Sequence, residues 1–284
     1  MSLSTNRARG KSTDLFVTEV DTTGRRGSKP DLVVTEEPME IRVVSPGREP
    51  SSISVTMRTP GHDFELAVGF LFTEGIISHP DDVQSVKYCE LVDGEEQLYN
   101  IVTVSLAKIF DMALARRAMV TSASCGICGI EFLDQLLTCA SPVNLDSGPI
   151  LTSQVLVGLP DALRKAQPTF DRTGGLHAVG LFDSSGQMNV VREDIGRHNA
   201  VDKVIGRCVL DHTVPLPQFG MLVSGRVSFE IIQKAAIAGV TFVAAVGAPS
   251  SLAVETAERF GITLVGFVRD GNANVYSHNH RLAM

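Results

Sequence analysis

The sequence predicts an α/β protein, α+β overall, with a small α+β unit over residues 31–115 and a larger α/β unit over residues 116–284. Three observations carry that expectation. A length of 284 residues suits about two domains of ordinary size. Short β-prone runs crowd the first part of the chain. The last part instead alternates strand-like runs with helical segments of about 10–12 residues, the rhythm of a sheet covered by helices. Finally, "TFVAAV" and "TLVGFV" are almost continuously apolar, as strands buried on both faces are.

The elements follow in order. Residues 1–30 are rich in Ser, Thr, Arg and Gly with no apolar period, and read as a mobile tail. From Asp31, "DLVVTEEPMEIRVV" places β-prone runs on either side of Glu37-Pro38 and predicts a hairpin turning there. "SISVTMRTP" is a strand closed by Pro60-Gly61, and "HDFELAVGFLFTEGII" has helical apolar spacing with Gly75 near its end. "VQSVKYCEL" and "QLYNIVTVSL" read as two strands joined by an acidic turn. In the second unit "IEFLDQLL" is helical, "LHAVGLFD" and "QMNVVRED" form a hairpin, and "RHNAVDKVIGRCVL" is an amphipathic helix. Strand "GMLVSG", helix "SFEIIQKAAIAG", strand "VTFVAAVG", helix "SLAVETAERFG" and strand "ITLVGFVRDG" complete it.

Composition narrows the function. A formal charge of -7 argues against a general nucleic-acid binder, which carries a basic face. The longest apolar stretches, "ELAVGFLF" and "VTFVAAVGA", fall short of the roughly 20 residues of a membrane helix, and the polar start holds no signal-peptide core, so the cytoplasm is the expected address. Five cysteines, an odd number, do not make a disulfide framework.

Cys125 and Cys128 stand in "TSASCGICGIEF", just ahead of a predicted helix. A helix N-terminus stabilises a thiolate, the form that attacks sulfur or binds metal, and Gly126 and Gly129 permit close approach by a second macromolecule or a bulky cofactor. Three chemistries share this spacing: metal binding, a redox dithiol and covalent sulfur carriage. Structural zinc needs a second ligand pair, which isolated Cys89, Cys139 and Cys208 do not supply; these three read as small buried hydrophobes. A zinc deaminase needs His-x-Glu before Pro-Cys-x-x-Cys, and Ser124 stands where the proline would be. No thioredoxin-like βαβ setting precedes Ser122.

The second constellation is "VVREDIGRHNAVDKVIG". Glu193 and Asp194 fit a helix cap or a solvated face. Arg197 and His198, flanking a Gly-opened strand-to-helix junction with Asn199, suit recognition of a phosphate or a pterin-like ring, with His198 as a conceivable proton carrier. Ser224, Gly225, Arg226 and Ser228 lie in another strand-to-helix turn, where N–H groups can meet anions. "VGAPSSLAVETA" and "GFVRDGNANVYSH" add two more strand ends. Three such turns in one unit mark the expected ligand edge.

Together "SCGICG", "REDIGRHNAVDKVIG", "SGRVSFEIIQKAAIAG" and "APSSLAVETAERFGITLVGFVRDGNANVY" resemble the FdhD family, the formate dehydrogenase accessory sulfurtransferases. "MRTPGHDFELAVGFLFTEGII" extends the resemblance to nearly the whole chain from Asp31. It implies a cytidine-deaminase-like α/β/α layer for the larger unit, without the deaminase zinc ligands and with no permanent metal. It implies sulfur received from a cysteine desulfurase as a persulfide on Cys125, with Cys128 assisting or relaying. The cargo implied is the molybdenum cofactor in its bis(molybdopterin guanine dinucleotide) form, sulfurated for formate dehydrogenase. Its guanine-dinucleotide contact falls on Phe267, Val268, Arg269, Asp270, Gly271 and Asn272, while Arg197 and His198 are candidates for the pterin and Ser224 and Arg226 for the phosphates. The turn reading "GAPSS" departs from the family pattern at Gly247 and Ser250. Two rivals stay open, a cofactor-binding chaperone that transfers no sulfur and a dithiol or zinc redox protein, and so does a homodimer.

Overall fold

The computed structural model describes residues 10–89, 98–110 and 143–283. Two larger sheets organise them. The first has the order β4-β3-β6-β5, built from β3 (Glu37–Val44), β4 (Ser51–Arg58), β5 (Val83–Tyr88) and β6 (Ile101–Leu106). β3 alternates: Met39, Ile41 and Val43 are buried, so one face of the pleat turns inward. Helix α1 (Asp63–Thr73) joins that core through Leu66, Val68 and Leu71.

The second sheet runs β13-β12-β11-β10-β8-β9. Its members are β8 (His177–Phe182), β9 (Met188–Asp194), β10 (Gly220–Val223), β11 (Phe242–Ala245), β12 (Thr263–Arg269) and β13 (Asn272–Ser277). The central strands β10, β11 and β12 are parallel, and the flanking pairings are antiparallel. Period-two alternation divides the side chains between two cores. Val179, Leu181, Met221, Val223, Val243 and Leu264 face helices α4 (Arg197–Leu210), α5 (Phe229–Ile237) and α6 (Ser251–Phe260). Ala178, Phe182, Leu222, Phe242, Ala244 and Val265 face α2 (Ser153–Lys165) through its Leu156, Leu159 and Leu163. Each of those leucines contributes about 1.5–3 kcal/mol by burial. The result is the α/β/α layering expected of the larger unit. A short helix, α3 (Pro168–Thr173), precedes β8, and β14 (Leu282–Ala283) pairs in parallel with β7 (Leu151–Thr152).

Helix α1 crosses α4 within one continuous core, and the crossing is made by two glycines. A Cβ on Gly69 would lie 1.8 Å from the Asp202 carbonyl oxygen, and one on Gly206 would lie 1.8 Å from that of Glu65. Only bare backbone allows this approach.

Several expectations are corrected. Within residues 1–30, expected to be a mobile tail, Ser12–Asp21 (β1) pairs antiparallel with Gly24–Val34 (β2). The pairing is supplied by backbone bonds and β-branched residues, with little apolar burial to betray it. The turn expected at Glu37-Pro38 lies at Thr35-Glu36 instead, and β2 and β3 belong to different sheets. α2 was not anticipated, because Gly158 and Pro160 interrupt its leucine period. The helix expected at "IEFLDQLL" lies outside the described residues.

Candidate functional site

The C-terminal ends of β10, β11 and β12 are tied side by side. Gly247 N–H donates to the Gly225 carbonyl at 3.1 Å, Phe267 N–H donates to the Gly247 carbonyl at 3.1 Å, and Val227 bridges to Pro249. A Cβ on Gly247 would lie 2.8 Å from the Gly225 oxygen, so glycine lets the turns touch. This edge, beyond the carboxyl ends of parallel strands, is where open α/β sheets take ligands.

At one end of the edge sits a cationic cluster. Arg197 and His198 open α4, whose N-cap Gly196 supplies no side-chain bond; α5 likewise opens at Ser228 without a side-chain cap. The start of α4 thus keeps N–H groups for an external acceptor, whereas at the start of α5 the Glu230 carboxylate already bonds Ser228 and its own N–H. His198 Nε2 and Ser228 Oγ, 3.0 Å apart, bridge the two starts, and Glu230 lies 3.9 Å from the same nitrogen. Burial first, and then the Arg197 guanidinium, lower the His198 pKa to about 4, so the ring is neutral at pH 7. Arg197 Nε is buried with no hydrogen-bond partner. Such an orphan is costly unless a ligand satisfies it.

His177, at the start of β8, completes the cluster and was missed from sequence. A Cβ on Gly225 would lie 3.1 Å from its Nδ1 and 4.0 Å from Arg197 Cδ. Burial, then Arg197 and Arg226, push its pKa below the ordinary value. The available signal was its pairing partner: His177 stands opposite Asp194 across the hairpin that leads into α4. Arg226 is exposed. Ser224, by contrast, is used locally, its Oγ accepting from the Ala178 N–H at 2.9 Å.

The remaining charges of "REDIGRHNAVDK" tie β9 and α4 to α1, α3 and the first sheet. Arg192 binds Glu65 bidentately, with Nη2 to Oε1 at 2.7 Å. Burial of Glu65 works against its charge, but the bonds from Arg192 and His62 prevail and lower its pKa to about 2. Glu193 accepts from the Thr169 and Phe170 N–H groups at the start of α3. Asp194 is fully buried, pairs with Lys203 at 2.6 Å, and accepts from Thr59 N–H and Gly196 N–H. Asn199 donates to the Met57 carbonyl, and Asp202 meets Lys234 and Thr73. A cap or solvated face accounts for only part of this: Asp194 does bond the Gly196 N–H, but from inside the interface.

The Phe267–Asn272 turn lies on the same edge, connected to the cluster through Gly247. Phe267 holds φ 54, a left-handed backbone that costs about 1–3 kcal/mol in a bulky residue and concentrates at functional sites. The Arg269 guanidinium lies 5.3 Å from the Phe267 ring centroid. Asp270 and Gly271, both at positive φ, make a two-residue hairpin loop of the kind favoured by Asp-Gly. Asn272 Nδ2 donates to the Asp270 carbonyl at 2.8 Å. Val268 is the exception, its side chain fully buried in the α2-side core beside Val265; the register irregularity between Gly266 and Arg269, with Phe267 at positive φ, turns it to that face against the simple alternation. Cys125, Cys128 and Cys139 lie outside the described residues. Cys208 is buried and Cys89 half-buried, and the described residues contain no cluster suited to a metal ion.

The chain matches the FdhD/NarQ family over residues 34–283. It belongs to that family. It is 47% identical over 267 residues to the sulfur carrier protein FdhD of Streptomyces avermitilis, covering 92% of each chain. It is 42% identical over 254 residues to the protein of the same name from Sulfurisphaera tokodaii, covering 89% of this chain and 92% of that one. A solved structure described as a putative formate dehydrogenase accessory protein from Desulfotalea psychrophila superposes with TM-score 0.74 at 23% identity, covering 96% of this chain and 99% of that one. That likeness fixes the fold. No described helix is long and apolar enough to cross a membrane.

Proposed function

We propose that this protein is a sulfur carrier serving formate dehydrogenase. It would take sulfur from a cysteine desulfurase onto Cys125 and deliver it to a molybdenum cofactor bound as bis(molybdopterin guanine dinucleotide). Family membership and the sulfur carrier relatives support the sulfur chemistry. Loading is an exchange: the Cys125 thiolate attacks the donor persulfide's outer sulfur, that S–S bond breaks, and the donor leaves as a thiolate. Delivery as sulfide takes an electron pair, which Cys128 supplies by attacking Cys125 Sγ and closing a disulfide.

The observation that carries the cofactor half is the orphaned Arg197 Nε, on a side chain beside His177 and adjacent in sequence to His198. A phosphate would give it an acceptor while meeting the uncapped start of α4. Arg269 and Phe267, farther along the edge, would take the guanine end. The cofactor is cargo, so the cradle must release it, and neutral histidines keep the local charge moderate at pH 7.

Calorimetric titration with guanosine diphosphate tests this reading. Charge-assisted bonds contribute about 1.5–3 kcal/mol, so Arg197→Ala and Arg269→Ala should each weaken binding roughly ten- to a hundredfold. Unchanged affinity in both variants would remove the cradle from the proposal.

A further inference from the structure

Glu230, Ser228 and His198 form a chain of polar groups in which charge alone assigns the hydrogens. Ser228 is the N-cap of α5 and Glu230 its second residue, while His198 is the second residue of α4. Burial works against the charge of Glu230, but bonds from the Ser228 hydroxyl and from its own N–H, with His198 and Arg197 nearby, hold its pKa below the ordinary carboxylate value. Glu230 is therefore an anion at pH 7, and an ionised carboxylate only accepts. The single hydroxyl hydrogen of Ser228 is committed to it. Across the 3.0 Å to His198 Nε2, Ser228 Oγ is thus the acceptor and Nε2 carries the hydrogen. Glu230 Oε2, 3.9 Å from the same nitrogen, favours a hydrogen there too.

The second ring nitrogen follows from the first. A neutral imidazole has one N–H, and this ring is neutral because burial, then Arg197, outweigh the nearby Glu230, with Lys234 and His177 on the side of Arg197. Nδ1 is therefore a bare lone pair, and the 39% exposure of the side chain leaves the ring within reach of a ligand. A lone pair repels a phosphate oxygen and attracts a group that brings a hydrogen. The orphaned Arg197 Nε has the opposite demand, an acceptor. Adjacent residues thus ask one ligand for an anion and for a donor.

We infer that Ser228 and Glu230 are positioning residues that fix His198 in its Nε2–H form, so that Nδ1 accepts a hydrogen bond from a ring N–H of a heterocycle whose phosphate lies on Arg197. The inference rests on the phosphate cradle proposed above and adds the ligand class that the cradle selects. Guanine and pterin share the needed chemistry, an amino-lactam edge of N–H donors, which pyrophosphate lacks.

Two measurements read the relay. Heteronuclear NMR of the ring nitrogens at pH 7, with His198 assigned by its loss in His198→Gln, should find the hydrogen on Nε2 in the wild type. Glu230→Lys reverses the polarity of the chain. An ammonium only donates, so Ser228 must turn its hydroxyl to Nε2 and the ring hydrogen must move to Nδ1. The Glu230 side chain is 54% exposed, so the fold should hold, as circular dichroism would show. Calorimetric titration of both proteins with guanosine diphosphate, neopterin monophosphate and pyrophosphate reads the consequence. In Glu230→Lys the affinity for at least one heterocycle, relative to pyrophosphate, should fall roughly three- to tenfold through the loss of one hydrogen bond. The heterocycle that loses affinity is the one seated on His198. A hydrogen on wild-type Nδ1, a tautomer that Glu230→Lys leaves in place, or unchanged relative affinities for both heterocycles would each overturn the inference while the cradle stands. A wild type that binds none of the three probes overturns the cradle and the inference together.

Discussion

Replacing Gly69 by alanine sets two physical effects against each other with opposite signs. Glycine inside a helix costs about 1 kcal/mol relative to alanine, so propensity alone predicts that Gly69→Ala stabilises α1. The structure predicts the reverse. The new methyl would sit 1.8 Å from the Asp202 oxygen, 2.6 Å from the Asp202 carbonyl carbon and 2.9 Å from Gly206 N. All three are backbone atoms of α4, which cannot rotate aside, so the helices must separate. Overpacking costs about 1–3 kcal/mol and occasionally more, and rigid backbone on both sides puts this site at the upper end. The net effect is a loss of roughly 2 kcal/mol, or about 4–8 °C in Tm for a chain of this size. Gly158 is the control: it lies inside α2 with open space around its position, and Gly158→Ala should stabilise by about 0.5–1 kcal/mol. Calorimetric melting of both variants decides the matter. A Gly69→Ala protein as stable as the wild type, or more so, would refute the close helix crossing.

Two further outcomes follow from the buried charges beneath the site. Lys203→Met leaves Asp194 buried without its cation and should cost about 3–5 kcal/mol, read from denaturant midpoints. A loss below about 1 kcal/mol would mean that the Thr59 and Gly196 N–H groups suffice for Asp194. His198, with its pKa lowered to about 4 against about 6.5 when unfolded, binds fewer protons in the native state between those values. Its contribution is therefore complete above pH 6.5 and is lost as pH falls toward 4. His198→Gln should flatten the fall of the guanidinium chloride midpoint across that window, and an unchanged slope would contradict the lowered pKa. Glu65, lowered to about 2, adds a separate acid loss below about pH 4.5 by the same linkage.

The sequence was most legible where burial imposes a period. Strands β8 to β12 and helices α4, α5 and α6 stand where their apolar patterns place them, because each is packed on a core, whereas the edge strand β13, mostly exposed, gave no such pattern. Legibility failed where burial is slight or shared. The β1–β2 hairpin buries little, so Ser, Thr and charged residues hide it; α2 carries its leucines at the right spacing but with Gly158 and Pro160 between them. The close approach of Gly69 and Gly206 is a property of two helices together and of neither alone. At the site, the sequence marked the edge of the parallel strands through its polar turns. It also marked Arg197 and His198, which the structure brings together. It could not apportion "REDIGRHNAVDK" between ligand and interface, because Arg192, Asp194 and Lys203 find their partners more than a hundred residues away or deep beneath the helix start. His177 escaped notice because its one cue was the hairpin register that sets it opposite Asp194; only the fold sets it beside Arg197 and Arg226.

The central claim is that this protein carries sulfur, and intact-mass spectrometry after incubation with a cysteine desulfurase and cysteine measures that directly. The account predicts that the wild-type chain gains one sulfur atom, that reductant removes it, and that Cys125→Ala never gains it while still binding guanosine diphosphate. A chain that binds the nucleotide but never gains sulfur, or a sulfur that persists in Cys125→Ala, would contradict it.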